Sequence, residues 1–285
     1  MARRQRAGPR VGAAAGSRGS RILGGGGAGR STLIAIVSTL AFFGFIVLLV
    51  TSAPGWPAVR EQFFDWDIFR ESLREIAPKL LVNIKIFLIA EVFILIIGLT
   101  IAILRSLPGP VFFPVRLLMI VYTDFFRGVP TILVIYLFGF GVPALAISGV
   151  PRSEFVWGIV ALTLVYSAYV SEVYRAGIES VHPSQEAAAR SLGLSKTKAM
   201  RFVVLPQAVR RVVPPLLNDF IGLQKDTALV ALIGPVEAFR QSQIEVAANF
   251  DYTPYFATAL LFVALTIPMA RFTDWLVARE RRRRR

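Results

Sequence analysis

The chain has 285 residues, 55% of them hydrophobic, with 22 phenylalanines and a formal net charge of +14; its mean hydropathy is +0.60. A soluble domain of this length does not need so much apolar surface, so a membrane protein is the default. With no cysteine and one histidine, disulfide scaffolds, Cys/His zinc sites and thiol catalysis are excluded, and no cofactor or metal is called for.

Seven arginines and no acid fall in residues 1–30, and residues 279–285 hold six arginines against Glu280, so the ends carry +7 and +5 and the body only +2. Arginine-rich ends beside apolar segments are topology signals that stay on the cytoplasmic side of the membrane, where anionic lipid holds them. Their basic residues do not interleave with aromatics, so no nucleic-acid partner is expected.

Residues 1–30, rich in Gly, Ala and Arg, are predicted to be a disordered cytoplasmic tail. Within it Gly24 to Ser31, GGGGAGRS, imitates the spacing of a phosphate loop, but Arg30 replaces the lysine and no strand precedes it, so it reads as a linker. Leu33 to Ser52 runs without a charge. About 20 residues at 1.5 Å each cross the hydrocarbon core, whereas the apolar core of a cleaved signal peptide would be shorter. Ala53 to Lys79 mixes Trp56, Phe63, Phe64, Trp66 and Phe69 with charges, as an external interfacial segment does.

A second span is expected over Leu80 to Leu104, followed by a tight cytoplasmic turn at Pro108, Pro110 and Pro114. The apolar region Leu117 to about Val150 is interrupted by Phe125 to Pro130, FFRGVP, and reads as one crossing made of a broken helix. Further spans are expected at Phe155 to Val173, Pro214 to Pro235 and Tyr255 to Val277. The fold class is therefore all-α: a polytopic membrane helical bundle of six transmembrane helices. Six crossings put both arginine-rich ends, and the basic stretch Arg175 to Arg211, in the cytoplasm.

Inside that basic stretch, Pro183 fits a first helical position after His182, and the alanines that follow are strong helix formers. The spacing predicts a helix over Pro183 to about Ser191, a left-handed terminator at Gly193, and a second helix capped by Ser195 that ends before Pro206. Ala187, Ala188 and Ala189 allow close approach to another surface, and Glu186 and Arg190 can fix its register. An amphipathic loop lying on the membrane surface is the alternative.

The order Glu-Ala-Ala, then Gly, then Leu-Pro, here Glu186, Ala187, Ala188, Gly193, Leu205 and Pro206, resembles the signature loop of ABC importer permeases. Tyr122 to Leu133, YTDFFRGVPTIL, and Asn218 to Val230, NDFIGLQKDTALV, resemble hallmarks of the polar amino-acid branch, with Val129, Gly222 and Ala228 as departures that leave the solute open. The resemblance covers residues 80–278 and implies a five-span permease core containing a coupling loop at 182–208. Residues 31–79 would then be an extra transmembrane helix with its external segment, and 279–285 a second basic tail. It further implies a cytoplasmic ABC ATPase dimer docked on that loop, a second permease chain, like or unlike, an extracytoplasmic solute-binding protein, and an amino-acid solute.

Asn218, Asp219, Gly222, Lys225 and Asp226 fall within about one third of a helix circumference, while Gln224 falls outside it. Charges at mid-membrane cost roughly 2.5–3.5 kcal/mol, so this face is expected to turn toward a water-filled pathway or a partner helix. Glu91, on the same face as Asn83, is read the same way. Arg127, beside Gly128 and Pro130, either meets a solute carboxylate or locks two helices. Lacking a phosphate loop, the chain is not itself an ATPase. An ion-coupled secondary transporter is the other transport reading that the intramembrane charges suit, and a membrane anchor or assembly factor is a third.

Overall fold

In the computed structural model residues 28–282 are described; they form two units divided after Val59. In the first unit α1 (Ala28–Thr51) is exposed from Arg30 to Thr51, as an apolar helix with lipid for a solvent should be. The helix takes in Ala28 to Arg30, which had been expected in the disordered tail. The rest of that tail, residues 1–27, and the final residues 283–285 lie outside the described residues.

α2 (Trp56–Phe63) contains the division between the units, and α3 (Trp66–Ser106) follows. Asp65 starts α3 by accepting the amides of Asp67 and Ile68, each at 2.9 Å. Ala53 to Lys79 and the second span were expected as separate pieces, yet α3 runs unbroken through both, with Pro78 inside it. The helical length on either side of this proline carries the helix past one missing hydrogen bond.

α4 (Phe113–Gly128) and α5 (Thr131–Tyr136) meet at a bend of 106°. Val129, which precedes Pro130, is extended at φ −91°, ψ 131°, so the break falls within the interruption expected from FFRGVP. A π turn (Leu137–Gly141) leads to α6 (Val142–Ala144), and α7 (Glu154–Glu179) follows. Next come α8 (Pro183–Ser191), α9 (Lys196–Ala199), a π turn (Met200–Val204), α10 (Leu205–Asp226) and a 3-10 turn (Thr227–Ile233). α11 (Ala238–Asn249) and α12 (Thr253–Arg282) complete the chain, and no strand occurs among the described residues.

The core of the second unit lies between α3 and α7, where Ile86, Ala90 and Ile94 pack with Leu162 and Val165, all buried. By length and hydropathy four helical stretches can cross a membrane, or five if the bent α4–α5 region counts as one span. The remaining crossing expected from the sequence, Pro214 to Pro235, comprises the second half of α10 and the 3-10 turn. It does not reach the same standard, because Asn218, Asp219, Gln224, Lys225 and Asp226 lower its hydropathy.

Candidate functional site

Two features stand out in the second unit: the hairpin between α7 and α10, and a polar cleft above its base. In the hairpin, His182 caps α8, its ring nitrogen accepting the Ser184 amide at 3.2 Å, and Pro183 takes the first turn where no donor is needed. The far end closes with the Leu194 amide on the Ala189 carbonyl at 3.2 Å and that of Gly193 on Arg190 at 3.0 Å. Gly193 has φ +87°, the left-handed conformation that terminates helices. Ser195 then accepts the Lys198 amide at 3.4 Å and starts α9.

The second helix was expected to end before Pro206. α9 does stop at Ala199, but the chain then widens into the π turn and continues as α10, with Pro206 in its first turn. The missing proline donor falls where a helix start leaves donors unused, so no break results.

Val181, Val204 and Ala208 form a small core under the hairpin, and Ala189 is turned inward and buried. Ala187, Ala188, Gly193, Leu205 and Pro206 are exposed, while Glu186 is half-buried. Leu192, which sequence reasoning missed, is 86% exposed at the hairpin tip. The available signal was an apolar residue directly before the helix-ending glycine.

The cleft has a volume of about 500 Å³ and is lined by Arg127, Tyr169, Glu172 and Asp219 among others, with Arg211 and Ser180 at the hairpin base. Arg127 is exposed and makes no ion pair among the described residues; its guanidinium stands 5.8 Å from the Tyr169 ring centroid. Glu172 is clamped between Arg105, which also reaches Thr123 at 3.2 Å, and Arg175 at 2.7 Å. Asp219 presents a buried carboxylate oxygen with no hydrogen-bond partner. The cleft thus brings a cation and a carboxylate, Arg127 and Asp219, to the walls of one space.

The other expected pathway residues do not join it. Asn218 lies in a separate groove against Thr273 and Asp274 of α12, a helix-wheel step of about 100° away from Asp219. Lys225 is exposed, and Asp226 accepts a hydrogen bond from Tyr166, not from that lysine. Gln224, outside the predicted arc, is the residue that turns into the bundle, where it accepts the Thr266 hydroxyl at 2.8 Å. Much of the arc faces away from the interior of this chain. Glu91 is half-buried and close enough to Asp219 for their charges to interact.

Asn83, on Glu91's helix, is instead fully committed. Its amide donates to Glu237 at 2.7 Å and to Thr227 at 3.1 Å, and its carbonyl accepts the Ala238 amide at 3.1 Å. Glu237 caps α11 by accepting the amides of Phe239 and Arg240. Burial pushes the Glu237 carboxyl above the ordinary carboxylate range, while these donors act in the opposite direction.

A family model described as binding-protein-dependent transport system inner membrane component matches residues 94–282. The chain is 33% identical over 204 residues to a Bacillus subtilis protein named probable amino-acid permease protein YxeN, covering 71% of this chain and 90% of that one. It is 34% identical to the probable glutamine ABC transporter permease protein GlnM of the same organism, covering 65% of this chain and 83% of that one. Among solved structures it is similar to a chain from the crystal structure of an amino acid ABC transporter with histidines, at 31% identity and TM-score 0.64, over 73% of this chain and 93% of that one.

Proposed function

The chain belongs to the family of binding-protein-dependent transport system inner membrane components, and on that footing we propose that it imports a polar amino acid into the cytoplasm. It is the membrane-spanning permease subunit of an ATP-binding-cassette importer and not itself an enzyme, ATP hydrolysis residing on a partner subunit. The family implies three partners: an ATPase, a solute-binding protein and a second permease. Their arrangement here is taken as a cytoplasmic ATPase dimer, an external binding protein, and a permease pair of like or unlike chains. The chain is read as a six-span protein of the plasma membrane with both termini in the cytoplasm.

The observation that carries this reading is the hairpin 182–208. It is capped at both ends of α8, holds its own small core, and turns Ala187, Ala188 and Leu192 outward. A surface that needs nothing from its own bundle, and yet displays small and apolar groups, suits docking to another protein. ATP-driven closure of the ATPases would move two such hairpins together and rock the spans between inward-open and outward-open packings. Asp219 and Arg127, across one cleft, match the ammonium and carboxylate of an amino acid, with Glu91 within reach of the Asp219 charge; Asn218, Lys225 and Asp226 lie outside this cleft.

The test is reconstitution with the ATPase and binding protein. Glu186→Lys or Gly193→Asp, inserted normally in the membrane, should abolish solute-stimulated hydrolysis. Stimulation at the wild-type level in both variants would refute the reading.

A further inference from the structure

We propose that Arg211 is a positioning residue that makes the hairpin 182–208 move as one body with the ends of α7 and α10, and carries that movement to the wall of the cleft. The proposal rests on reading the hairpin as the coupling segment.

Ser180 is the residue at which α7 ends, and the last carbonyls of a helix lack partners within it. The guanidinium of Arg211, from α10 and 31 residues further along the chain, donates to the Ser180 carbonyl. One side chain thereby caps one helix from the next, across the two strands of chain that enter and leave the hairpin. Just beside this clasp, Val212 is buried against Gly177, where even a Cβ would clash with the valine. The two helices are therefore in backbone-close contact at the point where the hairpin is tied.

The hairpin has few other anchors. Its elements pack mainly on one another and on the start of α10, through Val181, Val204 and Ala208. A force applied at its tip reaches the bundle through this base. Ser180 and Arg211 are also walls of the cleft that holds Arg127, Glu172 and Asp219. The clasp, the Arg211 side chain on the Ser180 carbonyl, thus belongs to both the hairpin base and the cleft wall. With it closed, displacement of the hairpin displaces the cleft wall; with it open, the hairpin pivots about its connection to α7 while the wall stays behind.

The experiment compares wild type, Arg211→Gln and Arg211→Lys in vesicles reconstituted with the ATPase and binding protein, reading ATP hydrolysed per solute imported. The clasp requires this ratio to rise several-fold in Arg211→Gln and to fall back toward wild type in Arg211→Lys, which keeps a charged donor. An unchanged ratio in Arg211→Gln, even with both rates lowered together, overturns it. Hydrogen exchange of amides 184–205 in the detergent-solubilised permease alone covers the case of poor assembly: exchange must speed up in Arg211→Gln and be intermediate in Arg211→Lys, and equal protection in all three overturns the proposal. Failure of the coupling reading shows elsewhere, as full stimulation in both Glu186→Lys and Gly193→Asp.

Discussion

The hydroxyl of Tyr166 donates to Oδ2 of Asp226 across 2.9 Å, fastening the middle of α7 to the last residue of α10. Asp226 is half-buried, and the Tyr166 hydroxyl supplies its carboxylate with a donor inside the bundle. Interhelical hydrogen bonds in membrane proteins contribute about 0.6 kcal/mol on average and up to about 1.7. Tyr166→Phe is expected to lower the thermal midpoint in detergent by an amount at the upper end of that range, because the acceptor is ionisable. Adding Asp226→Asn to Tyr166→Phe should then cost much less than Asp226→Asn alone; fully additive losses would show that the pair is not coupled.

Leu192 tests the hairpin's outer surface. At 86% exposure it adds little to the permease's own stability, so Leu192→Ala should leave the melting temperature within the ordinary range for surface substitutions, about ±0.5 kcal/mol. If the tip seats in a pocket of the ATPase, the same change should weaken association by on the order of tenfold, equivalent to about 1.4 kcal/mol. Titrating the purified permease with the ATPase measures this, and unchanged affinity would remove Leu192 from the interface.

Gly193 tests the hairpin's shape. No atom beyond Gly193 and its two chain neighbours lies within 4 Å of the position a Cβ would take, so a substitution there meets open space and its cost is conformational. At φ +87° an alanine should destabilise the turn by about 1 kcal/mol, and asparagine by less. Protease cleavage near Lys196 and Lys198 reads local opening; the order expected is glycine slowest, asparagine intermediate, alanine fastest.

How much of this was legible in sequence follows the range of each interaction. α8, its proline start, Gly193 and the Ser195 cap are set by neighbours within four residues, and they stand where the sequence placed them. The break at Val129 and Pro130 is equally local. Helix-wheel spacing puts Asn218, Asp219 and Lys225 on one arc, but the direction an arc faces is decided by neighbours far along the chain. Gln224 is turned inward by Thr266, 42 residues away. The Arg211 clasp and the Asn83–Glu237 contact join residues 31 and 154 apart, one to a backbone carbonyl, and no spacing rule reveals them. The passage of α3 through Pro78 was missed because a proline's local penalty is outweighed by helical length and burial that only the assembled bundle supplies.

Asn83 gives a prediction with a pH sign. Asn83→Leu removes a donor from Glu237 and leaves the Ala238 amide without its acceptor, so a loss on the order of 3 kcal/mol is expected. Asn83→Asp keeps the shape but puts a second carboxyl against Glu237, whose carboxyl burial already pushes upward. Two such groups share one proton, so the pair is held best when protonated. A carboxyl raised in the folded state contributes stability below its unfolded value and loses it as pH rises through the folded value. The Asn83→Asp variant should therefore melt at a higher temperature near pH 5 than near pH 8, by a margin wild type does not show, and equal melting at both would exclude proton sharing.

Asp219 separates structure from transport. Its Oδ2 is buried without a hydrogen-bond partner, so the fold gains nothing visible from that oxygen and bears the desolvation of the charge. Asp219→Asn should leave the permease as stable as wild type or more so, because it removes a buried charge while changing the side chain's volume very little. If the orphan oxygen faces the solute's ammonium group, the same variant must lose uptake by at least tenfold while the ATPase still assembles, since an amide donor would oppose that cation. Stability unchanged with uptake lost assigns the carboxylate to the route. Stability lost with uptake per folded molecule unchanged assigns it to helix packing, and Arg127 would then face a cleft without a matching anion of its own.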